Sequence, residues 1–405
     1  MILLYYTAAE KAAKMATIAS MEPMLPDERQ DLEDLATDLV SKASSLAGRL
    51  HPVLRASIGD LVRSMNCYYS NLIEGHNTLP IDIDRALNDD YSGDPKRRNL
   101  QLEARAHIEV QRKIDQGAAP ATATSVEFIT WAHREFCERL PDDLLWVENP
   151  DTKNRIRVVP GELRKDHVAV GKHIPPAPDQ LPSFLQRLTE VYASQHLSRL
   201  RKIIGVAASH HRLLWVHPFI DGNGRVTRLL SHAVLRELEV GWELWSVSRG
   251  LARRVTEYKS GLQAADEPRR GDLDGRGNLT LAGLVDFCRF FLTAGVDQLD
   301  FMGGLLEPSE LLRRMEIWTE EETRAKRLPR GAWPLLREAV LAGEFQRGRA
   351  AELTGYETRQ ARTVLNALID AGYLVSPTSR SPVKLGLPVQ IVDRWFPRLY
   401  QPVPG

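Results

Sequence analysis

Cysteine is scarce in this sequence: Cys67, Cys137 and Cys288 are the only three in 405 residues, widely separated and without a Cys-x-x-Cys spacing. That argues against a disulfide framework or a thiolate metal site, and it fits a reducing, cytoplasmic compartment. An excess of one charge is also missing, because 53 basic residues balance 53 acidic ones. No global field therefore draws the chain to nucleic acid or to an anionic membrane, and any such binding must be local. Nowhere do about 18 apolar residues run together, as a membrane-spanning helix requires. Met1 to Tyr6 is apolar, but no basic residue precedes it and it is too short for a signal-peptide core. The expectation is a chain with neither a secretion signal nor a membrane span. With 43% hydrophobic and 26% charged residues, the composition is that of an ordinary soluble globular protein, long enough for two or three domains.

What the sequence does have is concentrated in one stretch, His217-Pro218-Phe219-Ile220-Asp221-Gly222-Asn223-Gly224-Arg225-Val226-Thr227-Arg228. A base, an acid, a glycine-rich turn and two arginines fall together there. An apolar helical run precedes it. After it, Val226, Leu229, Leu230, Ala233 and Val234 repeat at the spacing of an amphipathic helix. Arg225, Arg228, His232 and Arg236 gather on a second stripe, roughly 80 to 160° away at about 100° per residue, which reads as a polar face. Gly222 and Gly224 permit close backbone approach, and a turn feeding a helix start presents free N–H groups to an anion. The outline is that of a phosphate cradle.

The rest of the chain divides at its breakers. Residues 1–115, helical in character from residue 7, are interrupted at Pro23, Pro26, Pro52 and Pro80. They contain Ser70-Asn71-Leu72-Ile73-Glu74-Gly75, where Gly75 suits a helix C-terminal cap and leaves Glu74 in the last turn, disfavoured by the macrodipole unless a cation faces it. Taken alone, Glu74 reads as a solvated surface carboxylate. Residues 116–300 form the central region. Asp89 to Arg98 reads as a loop before a helix from Asn99 to Ile114, Phe128 to Leu140 as a helix with core aromatics, and Trp146 to Leu163 as irregular. Val168 to Ile174, with its Gly171-Lys172 turn, reads as a small hairpin or flap whose free edge could pair with an extended protein substrate. His167 and His173 beside it lack a third ligand, and His210 and His211 precede His217 by seven and six residues rather than at helical zinc spacing. A helix from Ser248 to Leu262 offers Arg249, Tyr258 and Lys259 as polar candidates near a nucleotide. Asp272 to Asn278 superficially matches a calcium loop but fails at Arg276 and Gly283, and a helix from Leu281 to Leu292 follows.

Residues 301–327 read as a charge-rich helical linker, and Pro329-Arg330-Gly331 opens a last module, residues 328–405. Helices from Pro334 to Ala342, Gly348 to Leu353 and Glu357 to Ala371 precede two short β segments, Tyr373-Leu374-Val375 and Val383-Lys384-Leu385. Helix, turn, helix and a two-stranded wing describe a winged helix-turn-helix. Its third helix leaves Thr358, Arg359, Arg362 and Asn366 outward, residue types that contact phosphates and bases. Yet nine basic against six acidic residues over 331–405 is a modest surplus for a DNA binder. DNA binding through 357–371 and dimerisation or protein contact are both open to this module.

The central stretch resembles the Fic family, whose motif His-x-Phe-x-Asp/Glu-Gly-Asn-Gly-Arg-x-x-Arg has every fixed position present from His217 to Arg228. Ser70-x-x-x-Glu74-Gly75 is similar to the family's inhibitory helix motif. Pro160-Gly161-Glu162-Leu163-Arg164 and the Gly171 hairpin lie where such proteins carry a Gly-x-x-Arg segment and a target-docking flap. The resemblance spans roughly residues 60 to 295. It implies an all-α helical bundle with a small β-hairpin flap, an enzyme, and transfer of AMP from ATP to a Tyr, Thr or Ser hydroxyl of a protein docked on residues 167–175.

On that reading His217 accepts the proton of the attacking hydroxyl. Asp221 is a hard-oxygen ligand for Mg²⁺. Gly222, Asn223 and Gly224 hold phosphates through their amides, and Arg225 and Arg228 neutralise the developing pyrophosphate charge. Ser70, Glu74 and Gly75 become the inhibitory element, with Glu74 pairing with Arg228 in the space of the ATP γ-phosphate. Breaking a buried pair of that kind costs on the order of 3–5 kcal/mol, enough to change a binding mode a hundredfold. Other donor nucleotides, removal of AMP by the same site, self-modification and a homodimer remain open. Gly224 favours nucleotidyl over phosphoryl transfer, since kinase-like relatives depart from the motif at that glycine.

Overall fold

The computed structural model describes residues 2–3, 17–148, 153–241 and 243–401. The helical reading of residues 7–16 lies outside them. A short strand β1 (Ile2–Leu3) is followed by helices α1 (Gln30–Gly48), α2 (Pro52–Ile73), α3 (Pro80–Leu87) and α4 (Pro95–Asp115). The last three each place proline in the first turn, where its missing N–H has no intrahelical partner to lose. This is why the helix expected from Asn99 starts at Pro95 instead: Asp94 caps it, accepting from the Lys96 amide at 3.1 Å.

Helix α5 (Val126–Cys137) leads to strands β2 (Trp146–Glu148) and β3 (Arg155–Arg157), which pair antiparallel with Val147 opposite Ile156. A hairpin thus stands where irregular chain was expected; Arg155 and Arg157 both lie over the Trp146 ring, a cross-strand contact invisible in linear sequence. Strand β4 (Ala169–Val170) turns back at Gly171 so that Val170 and His173 exchange backbone hydrogen bonds of 2.9 and 3.0 Å. Its other edge is not free: Ile2 pairs with Val170 and Leu3 with Ala169.

Helices α6 (Leu181–Tyr192), α7 (Arg199–Val216) and α8 (Asn223–Glu237) follow. The expected helix from Ser248 is two, α9 (Val247–Arg253) and α10 (Val255–Asp266), broken where Arg254 leaves helical dihedrals. Helix α11 (Leu281–Leu305) runs well past Leu292 because its apolar face continues through Leu299 and Met302 to Leu305. Asp274 does not hold a cation loop open: it accepts from the Ala282 and Arg270 amides and so caps the start of α11.

The antiparallel pair α7 and α8 is the centre of the bundle. Helix α7 packs on α1, α6 and α11, and α8 packs on α4 and α5. Every residue of α8 from Arg225 to Leu235 is buried. The stripe of Arg225, Arg228 and His232, expected as a polar face, therefore points into protein, where each cation needs a counter-charge. Among the described residues no helix is long and apolar enough to cross a membrane.

The segment expected as a linker divides between the end of α11 and α12 (Pro308–Arg324), which packs on the terminal module. That module comprises α13 (Ala332–Leu341), β5 (Glu344–Phe345), α14 (Ala350–Thr354), α15 (Thr358–Asp370), β6 (Leu374–Val375), β7 (Val383–Leu385) and α16 (Val389–Trp395). Gly355 makes the turn between α14 and α15 in a left-handed conformation. The strands form one sheet in the order β5-β7-β6; β5 and α16 are additions to the sequence reading. Trp395 is fully buried, edge-on to Trp318 at 5.2 Å, with Tyr373 beside both. Trp395→Ala should lower stability by about 3–5 kcal/mol, seen as a lower denaturant midpoint for the transition that includes this module.

Candidate active site

Helix α7 ends at His217, whose φ of 49° and ψ of 62° are left-handed. A non-glycine residue there is strained, and the strain reverses the chain at once into Pro218. Asn223 then fixes the loop: its Oδ1 accepts from the Phe219 amide at 3.0 Å and its Nδ2 donates to the Phe219 carbonyl at 2.8 Å. The Asn223 side chain thus shapes the turn and is not turned toward a phosphate. Phe219 stacks on His133 at 3.8 Å with the rings parallel, and His133 Nδ1 accepts from the Gly161 amide. Gly222, at φ 79°, caps α8, whose first internal bond runs from the Val226 amide to the Gly222 carbonyl. The amides of Asn223, Gly224 and Arg225 are left without helical partners, the arrangement that binds anions.

The His217 side chain is buried. Its ring bonds the Leu214 carbonyl, while Nε2 has no hydrogen-bond partner. The bonded nitrogen is therefore Nδ1–H, and Nε2 presents a free lone pair. Burial, with the nearby charges of Arg164 and His173, pushes the imidazole down to about 3, so the ring is neutral at physiological pH. Arg164 is itself a clamp: Nε donates to the His217 carbonyl at 2.8 Å, Nη2 to the Pro176 carbonyl at 2.6 Å and Nη1 to the Asp166 carbonyl at 3.0 Å. One guanidinium joins the flap's two flanks to the histidine loop.

Each arginine on the buried stripe of α8 finds an acid, Arg228 just beyond the end of α2 and Arg225 on α4. Arg228 donates from Nε to Ser70 Oγ at 2.8 Å and from Nη2 to Glu74 Oε1 at 2.5 Å. Arg225 Nη2 donates to Glu103 Oε2 at 2.9 Å, beside His76 and over the Phe136 ring. His232 Nε2 lies 2.6 Å from Asp115. Helix α2 ends at Ile73, Glu74 is its cap, and Gly75 follows at φ 87°. The Arg228 side chain is 1% exposed and that of Glu74 34%, so the arginine is the floor of the site and the carboxylate stands at its mouth. Burial alone would raise the Glu74 pKa, but Arg228 and then Arg225 hold it down at about 2. The carboxylate also rests against Gly224: a Cβ there would clash with Glu74 Oε1.

Two expected nucleotide contacts are not part of this group. Arg249 donates to Gln298 Oε1 and to the Arg398 and Leu399 carbonyls, and lies 3.6 Å over the Phe301 ring. Its position in sequence, shortly after the motif, carried no information about which way α9 faces. Tyr258 is buried beneath Arg228, its hydroxyl 2.8 Å from His210 Nε2, and so supports the guanidinium from behind. His210 is further bonded to Ser231 and His211 to the Leu262 carbonyl, which makes both structural. Glu103, His76 and His133 were missed by sequence reasoning because no local pattern distinguishes them. Arg164 had a signal, its place in Pro160-Gly161-Glu162-Leu163-Arg164.

The site thus brings together a buried, neutral histidine acceptor, a helix start with unpartnered amides and a buried guanidinium, all on a helical bundle. Residues 123–235 match the Fic/DOC family model, and the chain carries a Fic/DOC domain. Two curated proteins named Protein adenylyltransferase Fic, from Drosophila erecta and Drosophila melanogaster, are 45% and 44% identical to it over 75 residues, which is 18% of this chain and 15% of theirs. The chain thus spans less than a fifth of those relatives. A Fic family protein from Desulfovibrio desulfuricans superposes with a TM-score of 0.50 at 17% identity, over 89% of this chain and 98% of that one. Fic-1 (residues 134–508) from C. elegans does so with a TM-score of 0.51 at 17% identity, over 69% and 73% of the two chains. At those identities the likeness is one of fold.

A histidine whose folded pKa lies below the unfolded value near 6.5 contributes its stability fully above that pH, and loses it as pH falls toward about 3. The ¹⁵N resonances of His217 should accordingly keep a neutral Nδ1–H pattern from pH 8 down to 5. A protonation midpoint near 6.5 would contradict the burial described here.

Proposed function

We propose that this chain is an autoinhibited protein adenylyltransferase, which transfers AMP from ATP to a Tyr, Thr or Ser hydroxyl of a protein and releases pyrophosphate. The observation that carries the reading is the free, buried Nε2 of His217 beside the Gly222–Gly224 turn, with Arg228 occupied by Glu74. In the reaction the hydroxyl oxygen attacks the α-phosphorus, its proton passes to His217 Nε2, and the bond from that phosphorus to the bridging oxygen breaks. The α8 amides hold phosphate oxygens, and Arg228, once released, takes the leaving pyrophosphate charge. Anionic phosphates approaching the loop favour the imidazolium, which offsets the low basicity that burial imposes. Arg225 is held by Glu103 and positions the start of α8.

Asp221 is exposed at the mouth of the turn. Among the described residues no three His, Cys, Asp or Glu groups could form a metal cage. A single carboxylate nonetheless fits Mg²⁺, which binds through one or two carboxylates with phosphate oxygens and water. Such an ion, when bound, would neutralise phosphate charge.

The Glu74 carboxylate still meets water, so its pair with Arg228 is worth less than a fully enclosed one. It is nevertheless placed to deny Arg228 to a terminal phosphate. In Glu74→Gly, incorporation of α-labelled ATP into protein should rise roughly 10- to 100-fold over wild type, and His217→Ala should abolish it in either background. Parallel incubations with labelled GTP, UTP and CTP decide the donor. An assay on previously modified protein decides whether Glu74 also supports removal of AMP.

A second reading concerns the terminal module, which we propose is a winged helix that binds duplex DNA. Helix α15 exposes Thr358, Arg359, Gln360, Arg362, Thr363 and Asn366, and neither Arg359 nor Arg362 has an ion-pair partner among the described residues. Their neighbours Arg349 and Arg394 are both paired. The module meets the core at β7, at α16 and through residues 398–401, while α15 packs on α13, α14 and β6 within the module. Gel shift of the full chain with duplex DNA at low salt should show binding that Arg359→Ala/Arg362→Ala weakens roughly tenfold or more. No binding at low salt would leave the module as a protein-contact surface.

A further inference from the structure

Helix α2 faces two ways within its last two turns. Ser70 and Glu74 meet Arg228, while Tyr69, about 100° around the helix from Ser70, meets the segment that leaves α16. The Tyr69 hydroxyl donates to the Leu399 carbonyl at 2.9 Å and accepts from the Gln401 amide at 2.9 Å. Tyr400 lies edge-on to Tyr68 at 5.3 Å. The same segment is fastened to the bundle from the other side. Arg249 holds the Arg398 and Leu399 carbonyls, and Arg253 donates to Gln401 Oε1 at 2.6 Å.

Elsewhere the module is seated on α2 less completely. Between α2 and the wing lies a cavity of about 290 Å³, lined by Ser57, Leu61 and Ser64 on one side and Lys384, Leu385 and Val392 on the other. A cleft of that size admits water, so the two faces that line it do not pack on one another. Residues 398–401 are where hydrogen bonds tie the end of α2 both to the terminal module and to α9.

We propose that Arg398–Gln401 is a strap that seats the C-terminal end of α2 against α8, so that displacement of the terminal module frees Glu74 from Arg228. This rests on the inhibitory reading of Glu74 given above. The strap makes the module a regulator of the site: a macromolecule that shifts its seat also loosens the inhibitory helix, although it touches no residue near the phosphates. Tyr69 is a positioning residue in this arrangement, acting through the helix that it shares with Glu74.

The test uses the full chain. Tyr69→Phe keeps the ring and removes both hydrogen bonds, and the loss of about one net bond corresponds to roughly a fivefold change in the seated population. Label incorporation from α-labelled ATP should rise severalfold in Tyr69→Phe and remain below that of Glu74→Gly. The double variant Tyr69→Phe/Glu74→Gly should match Glu74→Gly alone. Arg253→Ala, outside the buried core, should act in the same direction if Tyr69→Phe folds poorly. An unchanged rate in Tyr69→Phe and Arg253→Ala while Glu74→Gly is active overturns the strap, as does an equal severalfold rise in both backgrounds. Hydrogen exchange gives a readout independent of activity: amides 66–75 should exchange severalfold faster in Tyr69→Phe, and unchanged exchange there also overturns it. If Glu74→Gly transfers no nucleotide, adenylyl transfer fails as the function while the exchange result still decides the strap.

Discussion

The structure depends on having a guanidinium, Arg228, almost wholly out of water at the centre of a helical bundle. A cation in that position must be paired or the desolvation penalty is uncompensated. Its partners come from the far end of α2, 154 residues earlier for Glu74, so the pairing fixes where α2 ends relative to α8. The same demand repeats along the helix. Arg225 is paired with Glu103, and His232 is hydrogen-bonded to Asp115, both on α4. Two ion pairs and this hydrogen bond thus tie one face of α8 to α4 and to the end of α2.

A free nitrogen on His217 is the complement of this fully occupied face. Other polar side chains around the loop are used: Asn223 holds Phe219, Arg164 holds the His217 carbonyl, and His133 is stacked and bonded to Gly161. These contacts keep the imidazole from relaxing out of its left-handed backbone position, and they leave its Nε2 as an unspent acceptor. An unsatisfied buried nitrogen is costly for stability, and this one lies at the loop that feeds the start of α8. The geometry therefore separates the side chains that shape the loop from the ring nitrogen that is left without a partner.

Much of the site was legible because it is local. Twelve consecutive residues carry the turn, the helix start and both arginines, and Ser70 and Glu74 share a helical spacing of four. What was not legible is which direction a helix face looks. Periodicity separates two stripes on α8 but cannot say that the polar one is covered by α2 and α4, because that depends on acids more than a hundred residues away. Arg249 shows the same limit: it is polar and near the motif in sequence, yet α9 turns it toward residues 398–399. The β2–β3 hairpin escaped for a related reason, since its strands are three residues each and held by arginines over one tryptophan rather than by an alternating apolar pattern.

The contact between Glu74 and Gly224 adds a constraint that the ion pair alone does not. With its oxygen close against the Gly224 backbone, Glu74 fills volume above the α8 amides as well as charge beside Arg228. A ligand that engages Arg228 with a terminal phosphate must therefore move the carboxylate bodily, whereas one that touches only the amides farther toward Asp221 need not. For a nucleotide bound as proposed above, the energetic difference between those two poses is set by the cost of moving the end of α2. That cost depends on everything holding this helix, including contacts on its opposite side, because a rigid element cannot yield at Glu74 while its neighbouring turn remains fixed. On the inhibitory reading proposed for Glu74, inhibition is a property of how α2 is seated, and the carboxylate is the point at which that seating is felt.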